Sequence, residues 1–345
     1  MLFGVFGVPS PMSYWVFGAL RTVVEICFAR HSVLAASSLS QVRESLTVSG
    51  GDPILFFSDS PDVEMAEAFA NAGAPYLMCL DSPLEVLGFC MSEREMDPIN
   101  GLRLTECCFA ALHNLALGSH AKVLRRNPQM RISDYLIEIC AAFRLTSDPA
   151  IVADAVRRLA GDAGSADPLA EDLIVRSHPH ARPLGTYPTQ LNAGGAPEWV
   201  CQTANQYLPM IEGNAIDSFY WPRQAFIDPG GKDQTVAARQ ELIGPSRHLV
   251  YGPFLHLPKG EWRATVGVEV ADAGANSFSV DVAIMGLPVR VARFQLPGMG
   301  KFEFTLDFEV IEPKQFVEIR ILLLNGAIEG QVGFSGVRIA RSPHV

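Results

Sequence analysis

The sequence predicts two fold classes in one chain: an α/β domain with a parallel sheet covered on both faces, then an antiparallel β-sandwich of jelly-roll-like type. Three observations carry this. Through residues 1–160, short apolar runs alternate with helix-length segments, the pattern of a sheet buried on both sides. In residues 236–345, strand-length segments follow one another with turn residues at short intervals. Between them, residues 161–235 are rich in glycine and proline and read as an irregular connecting segment, a length of loop that is often functional. The 345 residues exceed the size at which one core keeps growing, and 48% are hydrophobic against 19% charged.

In the first domain, residues 2–8 read as a strand and 14–29 as a helix apolar on most faces. Residues 53–57 form a short buried strand. Residues 62–72 are a helix that starts after Ser60-Pro61 and stops at Gly73. A second buried strand covers 74–80, a helix 101–117 ends at Gly118, and a short strand covers 121–125. Helices over 133–144 and 148–160 follow, opened by Ser133 and by Asp148-Pro149. In the last domain, strands are expected over 249–257, 260–270, 277–284, 289–295, 301–310, 316–324 and 331–340. Alternation is clearest in residues 303–310. Turns are read at Pro258-Lys259-Gly260, Ala273-Gly274-Ala275-Asn276, Pro297-Gly298-Met299-Gly300 and Asn325-Gly326.

The net charge of −10 disfavours nucleic acid and anionic membrane surfaces as partners, since both need a basic face. No apolar run is long enough to span a bilayer. The N-terminus lacks a basic start and a small-residue cleavage site, so it reads as a strand rather than a signal peptide. Seven cysteines sit in apolar patterns without metal-site spacing, which predicts reduced buried thiols, no metal site and a cytoplasmic setting.

Residues 9–15, Pro-Ser-Pro-Met-Ser-Tyr-Trp, join the first strand to an apolar helix. This is the local plan of a phosphate-binding loop. Such a loop needs small residues whose N–H groups approach the anion, and usually a cation. Here Pro9 and Pro11 remove donors and Met12 adds bulk. Ser10, Met12, Ser13 and Tyr14 are the anion or nucleotide-loop candidates. Arg125 and Arg126, beside Arg131, follow a strand where an α/β fold places ligand-binding groups; they read either as substitute cations or as a solvated turn.

The first 160 residues resemble the sulfotransferase branch of the P-loop fold. Members carry a Pro-Lys/Arg-Ser-Gly-Thr-Thr-Trp loop for the 5′-phosphosulfate of the donor PAPS, and an Arg-Asp-Pro-x-Asp-Val motif, followed by a serine, for its 3′-phosphate. Residues 135–145 with Asp148-Pro149 are similar to the family's closing helix pair, and residues 75–89 to its second motif. Pro9, Ser13 and Trp15 match the first motif, but Ser10, Pro11 and Met12 replace its basic residue, serine and glycine. Pro83, Glu85 and Val86 fit the second frame. Asp81 stands at its arginine and Phe89 at its serine. At an effective dielectric of about 20, one charge at 4 Å is worth about 4 kcal/mol, so a carboxylate in place of a guanidinium repels a phosphate strongly. Both phosphate sites are degenerate. The resemblance therefore implies a scaffold without a cofactor, or, as the alternative, a divergent PAPS-dependent carbohydrate sulfotransferase or other phosphate-donor transferase.

Other titratable residues have structural readings beside functional ones. Glu106 and His113 lie two turns apart on one helix, either an acid–base pair or packed side chains. His178 and His180 alternate in the connecting segment without a carboxylate at fixed spacing. Asp59, after a buried strand, is either a functional carboxylate or part of a helix start.

Residues 251–263 resemble the opening of carbohydrate-binding sandwich domains. The resemblance implies sugar binding through aromatic faces, with Tyr251, Phe254, His256, Trp262 and Trp221 as candidates and Tyr220 beside them. Trp262 and Phe254 are equally read as sheet core. The functional expectation is a non-catalytic glycan-binding protein or an accessory of polysaccharide biosynthesis, with a polysaccharide or oligosaccharide as partner. The second class is the transferase; the third is a scaffold whose sandwich mediates homo-oligomerisation.

Overall fold

The computed structural model describes residues 1–145, 148–161, 167–230, 235–272 and 276–343. Residues 273–275 of one predicted turn, residues 162–166 and Gly231 of the glycine-rich runs lie outside the described residues. The chain forms two compact units, residues 1–197 with 207–215, and residues 198–206 with 216–345.

The first unit has a five-stranded parallel sheet: β1 Leu2–Gly7, β2 Ser32–Ala35, β3 Ile54–Ser58, β4 Tyr76–Leu80 and β5 Ala121–Arg125, in spatial order β2-β3-β1-β4-β5. Its helices are α1 Pro11–Cys27, α2 Leu39–Val48, α3 Val63–Asn71, α4 Pro83–Arg94, α5 Pro98–Ala116, α6 Ile132–Ala142, α7 Pro149–Ala160, α8 Ala170–Ser177 and α9 Thr186–Gln190. Strand alternation divides the core into two layers. Phe3, Val5, Leu55, Leu77 and Cys79 face α1, α6, α7 and α8. Phe6, Phe56 and Tyr76 face the other way, where Phe6 meets Phe56 at 5.4 Å, Phe69 of α3 at 5.2 Å and Tyr76 at 5.5 Å. Successive connections leave β1 and β4 in opposite directions, so the crevice beyond their carboxyl ends is the switch point where open α/β sheets bind ligands.

Among the described residues, the second unit is an antiparallel β-sandwich built from α10 Glu198–Ala204 and ten strands: β6 Ser218–Pro222, β7 Arg239–Glu241, β8 Arg247–Val250, β9 Pro253–Leu255, β10 Gly260–Ala271, β11 Ser277–Ile284, β12 Leu287–Gln295, β13 Gly300–Val310, β14 Val317–Leu323 and β15 Gln331–Arg341. One sheet runs β13-β10-β15-β6, with β7 also on β15. The other runs β12-β11-β14-β8, with β9 also on β14. Along β10, Trp262, Ala264, Val266, Val268 and Val270 point inward. They meet the apolar faces of β11 and β14 in the core between the sheets.

The stretch 161–235, expected to be irregular, instead holds α8, α9, α10 and β6. Its glycines and prolines punctuate short elements rather than forming one loop. Gly185 and Gly194 sit at helix junctions with φ of 87° and 103°. β6 belongs to the sandwich because its register on β15 (Trp221 opposite Val337, Phe219 opposite Ile339) buries both apolar side chains.

Candidate functional site

At the switch-point crevice, β1 runs through Gly7 and Val8 into Ser10, the N-cap of α1. Gly7 is required by crowding, since a Cβ there would lie 2.7 Å from Ser13 Oγ and 2.8 Å from Cys79 Cβ. Ser13 N–H donates to Ser10 Oγ at 3.2 Å, and Tyr14 N–H to Ser10 O at 3.2 Å. These donors are thus consumed within the helix cap, and Pro11 has none. Met12 is in the core. Tyr14 is half-buried against Phe57, Phe89 and His178, and burial with the nearby Glu93 and Asp59 carboxylates pushes its hydroxyl pKa well up.

Beyond β4, the Asp81 carboxylate is buried, with the Ser10 hydroxyl and the Arg126 guanidinium near enough to favour its charged form. Arg126 is committed elsewhere: it forks onto Glu171 of α8 (Nε to Oε2 2.9 Å, Nη2 to Oε1 2.7 Å) and donates to Arg182 O at 2.6 Å. Leu184 N–H donates to Glu171 Oε1 at 2.8 Å, and Gly185 N–H to Glu85 Oε1 at 2.5 Å. The chain's own segment 182–185 is therefore strapped beside the ends of β4 and β5 by one arginine and two carboxylates. Arg125 turns away and donates to Ile211 O at 2.6 Å. Arg131 donates to Asp167 O at 2.5 Å.

Burial raises the pKa of Asp81 to about 6, with Arg126 and Ser10 opposing the rise. Burial raises Glu85 to about 7, opposed by the Gly185 N–H and reinforced by Asp81. Asp81 Oδ2 and Glu85 Oε2 are buried without hydrogen-bond partners. The region thus holds three carboxyl groups, Asp81, Glu85 and Glu171, and one guanidinium already engaged by Glu171 and the Arg182 carbonyl.

Nearby, His178 Nε2 lies 3.4 Å from Glu93 Oε1, while its Nδ1 accepts the His180 N–H at 3.3 Å. His180 Nδ1 meets Ser92 Oγ at 3.1 Å. Both His178 nitrogens are thus engaged. Nothing in the spacing of 93 and 178 signals this pairing. Glu106 and His113 are both buried in α5.

In the sandwich, Trp221 and Trp262 are 0% exposed. Trp262 Nε1 donates to Pro258 O at 2.9 Å, and the Arg341 guanidinium lies 4.0 Å over its ring. These two rings are core and present no face to a ligand. His256 is buried, with Nδ1 3.1 Å from Pro313 O. Tyr251 and Phe254 are half-buried and pack edge to face at 5.9 Å, and Phe254 packs on Phe316.

Open concavities of this unit lie elsewhere. The outer face of the β13-β10-β15-β6 sheet carries a groove of about 650 Å³. Gly267 of β10 and Gly333 of β15 leave its floor without side chains. Tyr220 of β6 lines it, 51% exposed. Its hydroxyl donates to Ser335 O at 2.9 Å, and its backbone N–H and C=O are both held by the Gln206 side chain. Gly336 makes this possible: its φ is 130°, and a Cβ would lie 2.9 Å from the Tyr220 hydroxyl oxygen and 2.5 Å from Trp221 O. The ring is thus a fixed platform, with Arg223, Gln224, Arg239, Glu269 and Lys301 around it.

No family model and no curated protein matches the sequence. Solved structures similar to the chain include the CBM36-1 domain of a multidomain xylanase from the hindgut metagenome of Trinervitermes trinervoides. That match has 12% identity and a TM-score of 0.27, and covers 37% of this chain and 100% of that one. The K1 cleaved adhesin domain of Lys-gingipain from Porphyromonas gingivalis W83 matches at 13% identity and TM-score 0.27, over 36% and 99% of the chains. TmCBM61, solved with β-1,4-galactotriose, matches at 10% identity and TM-score 0.25, over 36% and 88%. At these values the sandwich assignment rests on its own strand pairing.

Proposed function

We propose that this protein binds a carbohydrate in the groove on the outer sheet face of its sandwich. The observation that carries the reading is Tyr220, an exposed aromatic ring fixed at both ends beside a floor of glycines. A pyranose stacks its C–H face on such a ring while its hydroxyls reach flanking planar groups; Arg, Gln and Glu side chains supply donors and acceptors here. The groove volume lies within the range of ligand sites. The site differs from the one the sequence suggests, since Trp221 and Trp262 support the sheet beneath rather than touching sugar.

In the same proposal, the parallel-sheet unit is a sulfotransferase-like scaffold that takes no phosphate-bearing cofactor and acts as an accessory in polysaccharide synthesis or modification. Its support is the region beyond β4 and β5: Asp81 buried at the end of β4, Arg126 tied to Glu171, and segment 182–185 bonded to Arg126, Glu171 and Glu85.

A glycan array probed with the full chain and with Tyr220→Ala tests the first part. Binding lost in the variant with an unchanged melting temperature is expected; equal binding by both would exclude the groove. Thermal-shift titration with PAPS and with PAP tests the second. No stabilisation is expected, whereas a ligand at a hundredfold its Kd would add about 2.7 kcal/mol.

A further inference from the structure

We propose that the groove takes an uncharged glycan chain that runs from this first recess into a second one, with Arg239 at the join. The inference rests on the carbohydrate reading and adds the class and length of the ligand. A second recess of about 380 Å³ lies against β7 and β8, and Arg239 lines both. Each recess alone is the size of a small-ligand site. Two recesses sharing one wall suit a polymer segment, because a ligand long enough to reach the second binds it at high effective concentration.

The second recess offers a donor that the protein leaves unused. Gln240 lines it, and its amide Nε2 has no hydrogen-bond partner in the protein; the atom is closed to solvent, so a turn of the side-chain amide brings it to a ligand in the recess. An N–H₂ in that position asks for an acceptor, which a sugar hydroxyl or ring oxygen provides.

The charges point to a neutral ligand. In the first recess Arg223, Arg239 and Lys301 stand against Glu269 and Glu303. The second adds Arg247 against Asp228 and Glu241, so among the described residues the two signs balance. Three of these cations are also held by the protein. Arg239 pairs with Glu269 at 3.4 Å, and Arg223 donates to Val236 O. Arg247 donates to the carbonyls of Glu241, Leu242 and Pro245. Guanidinium groups satisfied in this way are not presented as forks to a uronate or sulfate. The carboxylates in each recess would meet an acidic polymer with like charge.

The test uses the full chain against neutral polysaccharides (β-glucan, xylan, mannan, galactan) and acidic ones (polygalacturonate, chondroitin sulfate). Isothermal titration then follows with oligomers of two, four and six units from the best-bound polymer. A neutral polymer is expected to win, with Kd falling about tenfold or more from dimer to hexamer. Gln240→Ala, which alters the second recess alone, is expected to remove that gain and leave the dimer's affinity unchanged. A preference for the acidic polymers, affinity independent of length, or an unaltered gain in Gln240→Ala overturns this inference while leaving carbohydrate binding intact. Failure of every polymer to bind overturns the carbohydrate reading, and this inference with it.

Discussion

Arg126 and Glu171, 45 residues apart, meet fork to fork in the interior of the parallel-sheet unit, with side chains 1% and 13% exposed. The pair locks α8 and the following strap to the end of β5. Truncating Glu171 to alanine would take from the buried guanidinium its fork partner, leaving only the Arg182 carbonyl and the nearby Asp81, a loss of about 3 kcal/mol. Urea denaturation of Glu171→Ala is expected to show it, and a drop of less than 1 kcal/mol would mean that water reaches the site.

The buried acids give the unit an unusual pH response. Asp81 goes from 3.8 to about 6 on folding, and Glu85 from 4.5 to about 7. Between these limits the folded state holds more protons than the unfolded one. Stability therefore falls as pH rises from about 4 to about 7 and levels off above. Denaturation midpoints of the wild type and of Asp81→Asn/Glu85→Gln, compared at pH 5, 6, 7 and 8, check the sign. The difference in stability, wild type minus variant, is expected to shrink with rising pH.

Deprotonation in this window also adds negative charge beneath segment 182–185. Because the ionised Glu85 carboxylate accepts the Gly185 N–H more strongly than the acid does, amide hydrogen exchange at Gly185, corrected for the intrinsic pH effect, is expected to be more protected at pH 8 than at pH 5.5. Equal protection would show that Glu85 and Asp81 keep their protons or are solvated.

Gly336 holds the platform of the groove. Gly336→Ala forces a side chain into a left-handed conformation and against the Tyr220 hydroxyl and Trp221 O. Loss of several-fold or more in glycan affinity with a lowered melting temperature is expected. Tyr220→Phe, which keeps the ring and loses the bond to Ser335, should fall between wild type and Tyr220→Ala.

The sandwich needs its first strand. A fragment of residues 236–345 lacks β6, leaving one edge of β15 bare and removing the fully buried Trp221. It is expected to aggregate, while a fragment of residues 198–345 gives a dispersed NMR spectrum. Within the full chain, Trp221→Ala should cost about 3–5 kcal/mol.

Long apolar and alternating runs were legible because their period alone decides their burial. β11 is found over Ser277–Ile284 as read, and β10, β13 and β15 differ from their readings by one residue at an end. Elements with weak local signals were not. β2 is four residues, mostly exposed, at the sheet edge, and β6 is five residues between prolines and polar turns. The pairing of each with a distant strand makes it a strand. α4 is buried over its first eight residues and shows little amphipathic pattern, so its period carries no signal.

By itself the sequence determined the two fold classes, the residues of the loop after β1 and the acid at the end of β4. These follow from local composition and from the strand and helix periods. Only the tertiary structure decided which aromatic rings are core and which is a platform, because a strand's register sets the face of every side chain on it. Tertiary structure also joined Asp81, Glu85, Arg126, Glu171 and Gly185 into one buried cluster. Contacts between residues up to a hundred positions apart arise from the topology of the sheet, and no spacing along the chain encodes them.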